Sequence, residues 1–176
     1  MLYLEIRTFG IVIETIFPLR DCELLRDLDD EELSRIAIIC SRISVAEGDR
    51  LFLEGQSADH IYIVTNGRIA LHKSLGDRAK LSQRGWATIA FCRTDEIVGW
   101  SALVDPFRYT LSATAWEPTQ LLAIRASLLR RAMELNPDVG FRIMRSLSEV
   151  MARRLQQISH ALTEARESSV KDRMSS

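Results

Sequence analysis

The stretch that decides the fold is residues 47–72, which read EGDRLFLEGQSADHIYIVTNGRIALH. Short apolar runs alternate there with Gly48, Gly55 and Gly67. A chain that reverses direction over so few residues needs a positive φ angle, which glycine adopts without a steric clash at Cβ. The pair Asn66-Gly67 is the strongest hairpin signal of the stretch. Short strands at this spacing predict a small antiparallel barrel or jelly roll and disfavour a parallel sheet with crossover helices.

The pattern of short strands continues beyond this stretch. Strands are expected from residue 43 to about residue 75 and again at 86–93, 96–99, 109–115 and 120–124, while residues 76–80 are typical of a polar hairpin loop. The total is about eight strands, the number in a jelly roll. We therefore predict an α+β fold: an eight-stranded antiparallel β jelly roll, or double-stranded β-helix, with flanking helices.

Helical patterns precede and follow the strands. A short helical piece is expected at residues 21–26, and the acidic run 29–32 is typical of the first turn of a second helix, where the helix dipole favours negative charge. Near residue 126 the apolar period changes from two to about 3.6, which predicts a helix that ends before Pro137. Asp138 is expected to cap a last, long helix that runs to about Glu167.

Composition limits the class of protein. A chain of 176 residues with 47% hydrophobic content is long enough for one buried core with an appended helix. The net charge of −1 argues against a surface built to neutralise phosphates. Three widely separated cysteines suggest neither a disulfide framework nor a metal site, so a cytoplasmic location is expected. Charged residues interrupt the apolar N-terminal stretch, which predicts neither secretion nor a membrane span.

The glycine register resembles the cyclic-nucleotide-binding sensor domain of the catabolite activator protein and FNR superfamily. The similarity covers roughly residues 19–165 and includes residues 99–103, GWSAL, where that family usually has Gly-Glu-x-Ala-Leu. Asn136-Pro137-Asp138 and residues 151–156 resemble the start and middle of its long dimerisation helix. On this basis we interpret residues 1–18 as an N-terminal extension, 19–136 as the sensor domain, 137–168 as the dimerisation helix and 169–176 as a flexible tail.

The resemblance also implies a ligand site. In the family the glycine-led segment folds around a ribose and a phosphate, with backbone N–H groups on the phosphate and a glutamate on the ribose hydroxyl. Gly99, Ser101, Ala102 and Leu103 keep that cradle, but Trp100 replaces the glutamate. An indole has one N–H donor and no acceptor, so the ribose contact is lost. Trp100 is either a structural plug or a wall on which a planar ligand stacks.

The arginine that pairs the phosphate in the family is displaced in this chain. Arg108 lies one residue early, with Tyr109 in its register and Thr110 next. Arg108 is a surface arginine, an anion-binding group for a ligand other than cyclic AMP, or a true phosphate contact after a one-residue deletion in the preceding loop. The loop resembles an altered phosphate cassette.

The long helix supplies the remaining wall of the family's site. Arg154 matches an arginine that reaches toward the ligand, and Ser159 matches a hydroxyl near the base. Ile158 stands where a threonine that reads adenine is expected, and an isoleucine offers no hydrogen bond. The residues implied in ligand binding are therefore Gly99, Trp100, Ser101, Ala102, Leu103, Arg108, Tyr109, Thr110, Arg154, Ile158 and Ser159.

The long helix also carries an apolar stripe, formed by Leu147, Met151, Leu155, Ile158, Leu162 and Ala165. Its spacing is typical of a seam between two helices, although its first half could also dock on the barrel of the same subunit. We expect a parallel homodimer that pairs through residues 139–165.

The functional prediction is a stand-alone regulatory sensor that binds a small anionic or nucleotide-like ligand and signals to an unidentified protein partner through helix pairing. Cyclic AMP is disfavoured by Trp100 and Ile158, and no metal or catalytic motif indicates an enzyme. One alternative is a dimerisation or scaffold module with a vestigial pocket. The other is a transcriptional regulator whose DNA binding comes from another subunit, since no specific DNA contact by this chain is expected.

Overall fold

The fold is built from two antiparallel sheets that enclose one core. The computed structural model describes residues 15–74 and 85–174, with side chains described as far as residue 156. The strands within those residues are β1 Cys40–Val45, β2 Arg50–Phe52, β3 His60–Asn66, β4 Ile69–Ser74, β5 Trp86–Cys92, β6 Ile97–Val98, β7 Ser112–Ala115 and β8 Thr119–Arg125. The sheet orders are β1-β8-β3-β6 and β2-β7-β4-β5. This arrangement confirms the predicted eight-stranded jelly roll.

The central strands of the first sheet are buried on both faces, whereas the edge strand β1 is exposed or half-buried. The central strand β3 pairs with β8 on one side and with β6 on the other. Ile61, Tyr62, Ile63 and Val64 follow one another along β3 and are all buried. Successive side chains of a strand point to opposite faces of the sheet. Because four in a row are buried, both faces of β3 are covered. The edge strand β5 of the second sheet is mostly exposed or half-buried.

Four α-helices flank the sheets within residues 15–74 and 85–174. The first, α1, covers residues 15–21 of the described chain. The others are α2 Asp30–Ala37, α3 Ala126–Leu135 and α4 Pro137–Met174. Asp29 caps α2 by accepting from the N–H of Glu32, and the Glu32 carboxylate returns a contact to the N–H of Asp29, which forms a capping box. The acidic run therefore begins a helix, as the sequence predicts.

The prediction of a helix at residues 21–26 is wrong. Residues 22–28 form consecutive turns, held by hydrogen bonds such as that from the N–H of Arg26 to the carbonyl of Cys22. Leu24, Leu25 and Leu28 are buried in these turns, so their spacing imitates a helical face. The N–H of Glu23 donates to the carbonyl of Asp95 instead of continuing a helix.

The ends of α4 also differ from the sequence prediction. Asn136, and not Asp138, caps the helix, because its side-chain oxygen accepts from the N–H of Val139 at 3.4 Å. Pro137 takes the first helical position, where its missing N–H costs nothing. The helix continues past the expected end near Glu167 to Met174, since no glycine or proline interrupts residues 168–174.

α4 is fastened to the protein by an apolar face and by ion pairs. Its buried residues are Val139, Ile143, Leu147 and Val150, spaced four, four and three residues apart. Ion pairs join it to the N-terminal segment: Arg142 with Glu32, Arg145 with Asp27, Glu149 with Arg26, and Arg153 and Arg154 with Glu23. The exposed pairs each contribute little to stability. Together they fix the position of α4 along residues 23–32.

The predicted loop at residues 76–80 and most of the N-terminal extension lie outside the described residues. Within those residues, no helix combines the length and apolarity that crossing a membrane requires. Cys22, Cys40 and Cys92 are free thiols. Burial raises the pKa of the Cys22 thiol to about 12, which keeps this side chain in the neutral form.

The turn between β3 and β4 provides a test of the glycine register. Gly67 has φ +90, and a Cβ there would lie 2.7 Å from the carbonyl oxygen of Pro118, whereas Gly55 has φ +83 with nothing within 4 Å. We expect Gly55→Ala to lower the free energy of unfolding by about 1 kcal/mol through backbone strain alone, and Gly67→Ala by roughly 2–4 kcal/mol through strain plus overpacking. Urea denaturation measures both values. Equal losses in the two variants would contradict the close approach at Gly67.

Candidate functional site

The candidate site begins at a glycine-led turn after β6. Gly99 has φ +82, and a Cβ at this position would lie 2.9 Å from a ring carbon of Tyr109, so only glycine fits. A short 3-10 helix, Trp100–Leu103, follows, and the N–H of Ala102 donates to the carbonyl of Gly99. β6 pairs with β3 through Ile97 opposite Ile63, which places the turn beside the start of β3.

Tyr109 fills the space in front of this turn. Its ring stacks on Phe52 with centroids 3.6 Å apart, and only 5% of the residue is exposed. Its hydroxyl donates to the carbonyl of His60 at 2.8 Å. Burial raises the pKa of the phenol above its ordinary value, so the group stays protonated as a donor. Tyr109 is therefore a fixed part of the wall.

The cleft that remains is small. Its volume is about 20 Å³, and Gly99, Trp100, Ser101, Tyr109, Thr110 and Arg154 line it together with Phe52, Leu71 and Leu111. Pockets for drug-sized ligands measure about 300–1,000 Å³, and a single water needs roughly 10–15 Å³. The structure therefore brings six of the sequence-predicted residues together around a space of about one water molecule.

The other predicted residues lie elsewhere. Ala102 and Leu103 are buried within the 3-10 helix and do not line the cleft, and the carbonyl of Ala102 accepts from Arg130 at 2.5 Å. Arg108 is exposed, outside the cleft, and donates to the carbonyl of Gly55 at 2.8 Å. Of the three interpretations of Arg108, the surface arginine matches this geometry. Trp100, which lines the cleft, is also half-buried against the core.

Ile158 and Ser159 lie on α4, about one turn beyond Arg154, the last described side chain that lines the cleft. Their backbone is helical, but their side chains are outside the described residues. Their contribution to a ligand site stays a prediction.

Arg154 is the charged group of the cleft. Its Nη2 donates to the carbonyl of Ile97 at 2.5 Å and to the carboxylate of Glu23 at 3.3 Å. Its Nη1 is buried and has no hydrogen-bond partner among the described residues. An unpaired guanidinium N–H away from water costs free energy comparable to that of a lost hydrogen bond, so this donor is poised for an acceptor.

Cys92 lies next to this guanidinium. Burial raises the pKa of its thiol to about 11, although the positive charge of Arg154 opposes the rise. The thiol is therefore neutral and offers no anion to Arg154.

Four residues of the site were not predicted from the sequence: Phe52, Leu71, Leu111 and Glu23. Phe52 supplies the ring that stacks on Tyr109, and its place in the apolar run of residues 51–53 was the signal that could have placed it in a buried strand. Glu23 holds Arg154 from 131 residues away. No local pattern marks that pairing.

An antiparallel jelly roll, with a glycine-led turn after β6 and a long C-terminal helix, is the architecture of a regulatory domain. The family model described as the cyclic nucleotide-binding domain matches residues 42–136, more than half of the chain. The chain belongs to this family.

Similar proteins include regulators and larger chains. A CRP-like cAMP-activated global transcriptional regulator of Mycobacterium tuberculosis is 25% identical over 136 residues, which is 76% of this chain and 56% of the regulator. An uncharacterised NTE family protein of the same organism is 30% identical over 127 residues, which is 65% of this chain and 22% of that protein. The chain thus spans about a fifth to about half of these relatives' lengths.

A solved structure shows the same fold. The N-terminal domain of a transcriptional regulator from Streptomyces coelicolor superposes with a TM-score of 0.61 at 31% identity, covering 82% of this chain and 94% of that chain. These similarities confirm the predicted family and its relationship to CRP-like regulators.

Replacing Tyr109 tests whether its ring closes the cleft. Tyr109→Phe removes the hydrogen bond to His60 and is expected to lower the free energy of unfolding by about 1–2 kcal/mol, whereas Tyr109→Ala also leaves a cavity and should cost roughly 3–5 kcal/mol. Denaturant unfolding of both variants measures the difference. If the alanine variant is no less stable than the phenylalanine variant, the ring does not fill this space.

Proposed function

We propose that this chain is a homodimeric regulatory domain that senses a small anionic ligand at the cleft and signals to a protein partner through α4. The observation that carries the proposal is Arg154, which lines the cleft of about 20 Å³ and whose buried Nη1 has no hydrogen-bond partner among the described residues. Because Arg154 belongs to α4, a ligand that binds it would act directly on the helix. The proposal assigns no catalytic chemistry to the chain.

The shape of the cleft argues against cyclic AMP as the ligand. A cyclic nucleotide needs several hundred Å³, whereas Phe52, Trp100 and Tyr109 leave about 20 Å³. Trp100 also offers no acceptor for a ribose hydroxyl. A smaller anion requires a smaller displacement of these side chains, and it would satisfy the donor that Arg154 leaves unpaired.

A second candidate is a dimerisation or scaffold module whose cleft is vestigial. The close stacking of Phe52 on Tyr109 favours it, because the stack occupies the space that a ligand would need. Thermal-shift measurements against a panel of anionic metabolites separate the two, since a ligand at a hundred times its Kd stabilises the folded state by about 2.7 kcal/mol. No stabilisation by any member of the panel would favour the scaffold.

The surface of α4 supports pairing with a second copy. Leu147 is buried on the protein's own barrel, but Met151 is 38% exposed and Leu155 is 66% exposed on the same stripe. The stripe therefore leaves the barrel as the helix advances. A two-fold related α4 would cover the exposed part.

We expect cyclic AMP to bind this domain at least about a hundredfold more weakly than a family member with the full Gly-Glu-x-Ala-Leu motif. The reason is the loss of two buried hydrogen bonds, to the ribose at Trp100 and to the base at Ile158, at roughly 1–2 kcal/mol each. Trp100→Glu should tighten binding about tenfold relative to Trp100→Ala, which opens the same space without an acceptor. Isothermal titration calorimetry measures the affinity of cyclic AMP for the unmodified domain, for both variants and for the family member. Micromolar binding by the unmodified domain would contradict the prediction.

Charges on the stripe should abolish pairing. Leu155→Glu combined with Ile158→Glu is expected to give monomers, because burying unpaired carboxylates in an apolar seam costs several kcal/mol. Leu135→Glu is the matched control, since Leu135 is 71% exposed at the end of α3 and outside the proposed seam. Sedimentation velocity decides between the states. A double variant that remains dimeric would place the interface elsewhere.

A further inference from the structure

We propose that Glu23 is an internal anion that occupies Arg154 in the absence of ligand, and that the anionic group of the ligand takes its place. The inference rests on the proposed function, because it names the residue that regulates the same cleft. It assigns a role to a residue outside the glycine-led segment.

Glu23 connects three parts of the fold through its carboxylate and its backbone N–H. Its carboxylate accepts from the N–H of Ile97 at 3.0 Å and pairs with both Arg153 and Arg154. Its own N–H donates to the carbonyl of Asp95 at 3.1 Å. The side chain is only 12% exposed, so the pairs are poorly screened by water.

Only one of the two terminal nitrogens of the Arg154 guanidinium has hydrogen-bond partners among the described residues. Its Nη2 contacts Glu23 and the carbonyl of Ile97, while its buried Nη1 has no partner among the described residues. The guanidinium also lines the cleft. One planar group therefore contacts the internal carboxylate through Nη2 and keeps a second donor, Nη1, without a partner among the described residues.

Arg153 lowers the free-energy cost of moving Arg154 from Glu23 to a ligand. The distance from Arg154 to Glu23 is 3.3 Å, at the long end for a charge-assisted hydrogen bond, and Arg153 pairs with the other carboxylate oxygen. When Arg154 turns to a ligand, Glu23 keeps Arg153 and the N–H of Ile97 as partners. Neither the carboxylate nor the guanidinium is left as an uncompensated charge.

The exchange would connect the cleft to the rest of the protein. Glu23 joins the turns at residues 22–28 to β6 and α4, so a ligand that competes for Arg154 weakens one attachment of α4 to the N-terminal segment. Coupling free energies are reciprocal. Weakening the contact between Glu23 and Arg154 by mutation should therefore strengthen anion binding.

The test compares Glu23→Gln with Asp27→Asn. Asp27 lies on the same segment and pairs with Arg145 of α4, so its substitution removes the same charge without contacting Arg154. Calorimetric titrations use inorganic phosphate and, separately, cyclic AMP, at constant ionic strength. We expect Glu23→Gln to bind phosphate at least tenfold more tightly than the unmodified chain, and Asp27→Asn to stay within twofold of it.

Further variants keep the proposal falsifiable. Glu23→Asp retains the charge on a shorter side chain and should give a gain of about threefold, and the double variant Glu23→Gln with Arg154→Gln should lose the gain. Equal gains in Glu23→Gln and Asp27→Asn, weaker binding in Glu23→Gln, or no phosphate binding by that variant would each overturn the exchange. Sedimentation of the same samples tests helix pairing separately, so a monomeric chain that still shows the gain would refute the proposed dimer and leave the exchange standing.

Discussion

The pairing of β3 with both β8 and β6 is the constraint on which the rest of the structure depends. It buries four consecutive side chains of β3, from Ile61 to Val64, between the core and the covering elements. The same pairing sets the position of the site, because β6 leads directly into Gly99 and the first residue of β3, His60, accepts the hydroxyl of Tyr109. Ile97 of β6 also offers both of its backbone groups to Glu23 and Arg154.

The site combines a backbone turn with side chains that fill the space in front of it. The glycine-led 3-10 turn lines the cleft, and Arg154 lines the same cleft from α4. The rings of Phe52, Trp100 and Tyr109 leave a volume of about 20 Å³. Because the turn is backbone and the filling is side chain, such a domain can change its ligand without changing its fold.

α4 connects the site to the outside of the domain. Its first half is buried on the barrel and tied to residues 23–32 by arginine–carboxylate pairs, while Met151 and Leu155 lie on a surface that the barrel does not cover. Similar domains form part of longer relatives, including a transcriptional regulator and an NTE family protein. α4 therefore lines the cleft at Arg154 and leaves the barrel at Leu155, so one helix borders both the cleft and the outer surface.

The sequence by itself determined the elements whose signals are local. Turn glycines, strand alternation, the acidic start of α2 and Pro137 act over a few residues, so the eight strands, the family and the residues of the glycine-led turn were all predictable. Apolar spacing alone was ambiguous at residues 22–28, where leucines are buried in turns that imitate a helix. Only the tertiary structure decided which side chains fill the cleft, that Arg108 turns away to Gly55, and that Arg154 meets a carboxylate 131 residues distant. Those outcomes depend on side-chain directions and on contacts between distant segments, which no local pattern encodes.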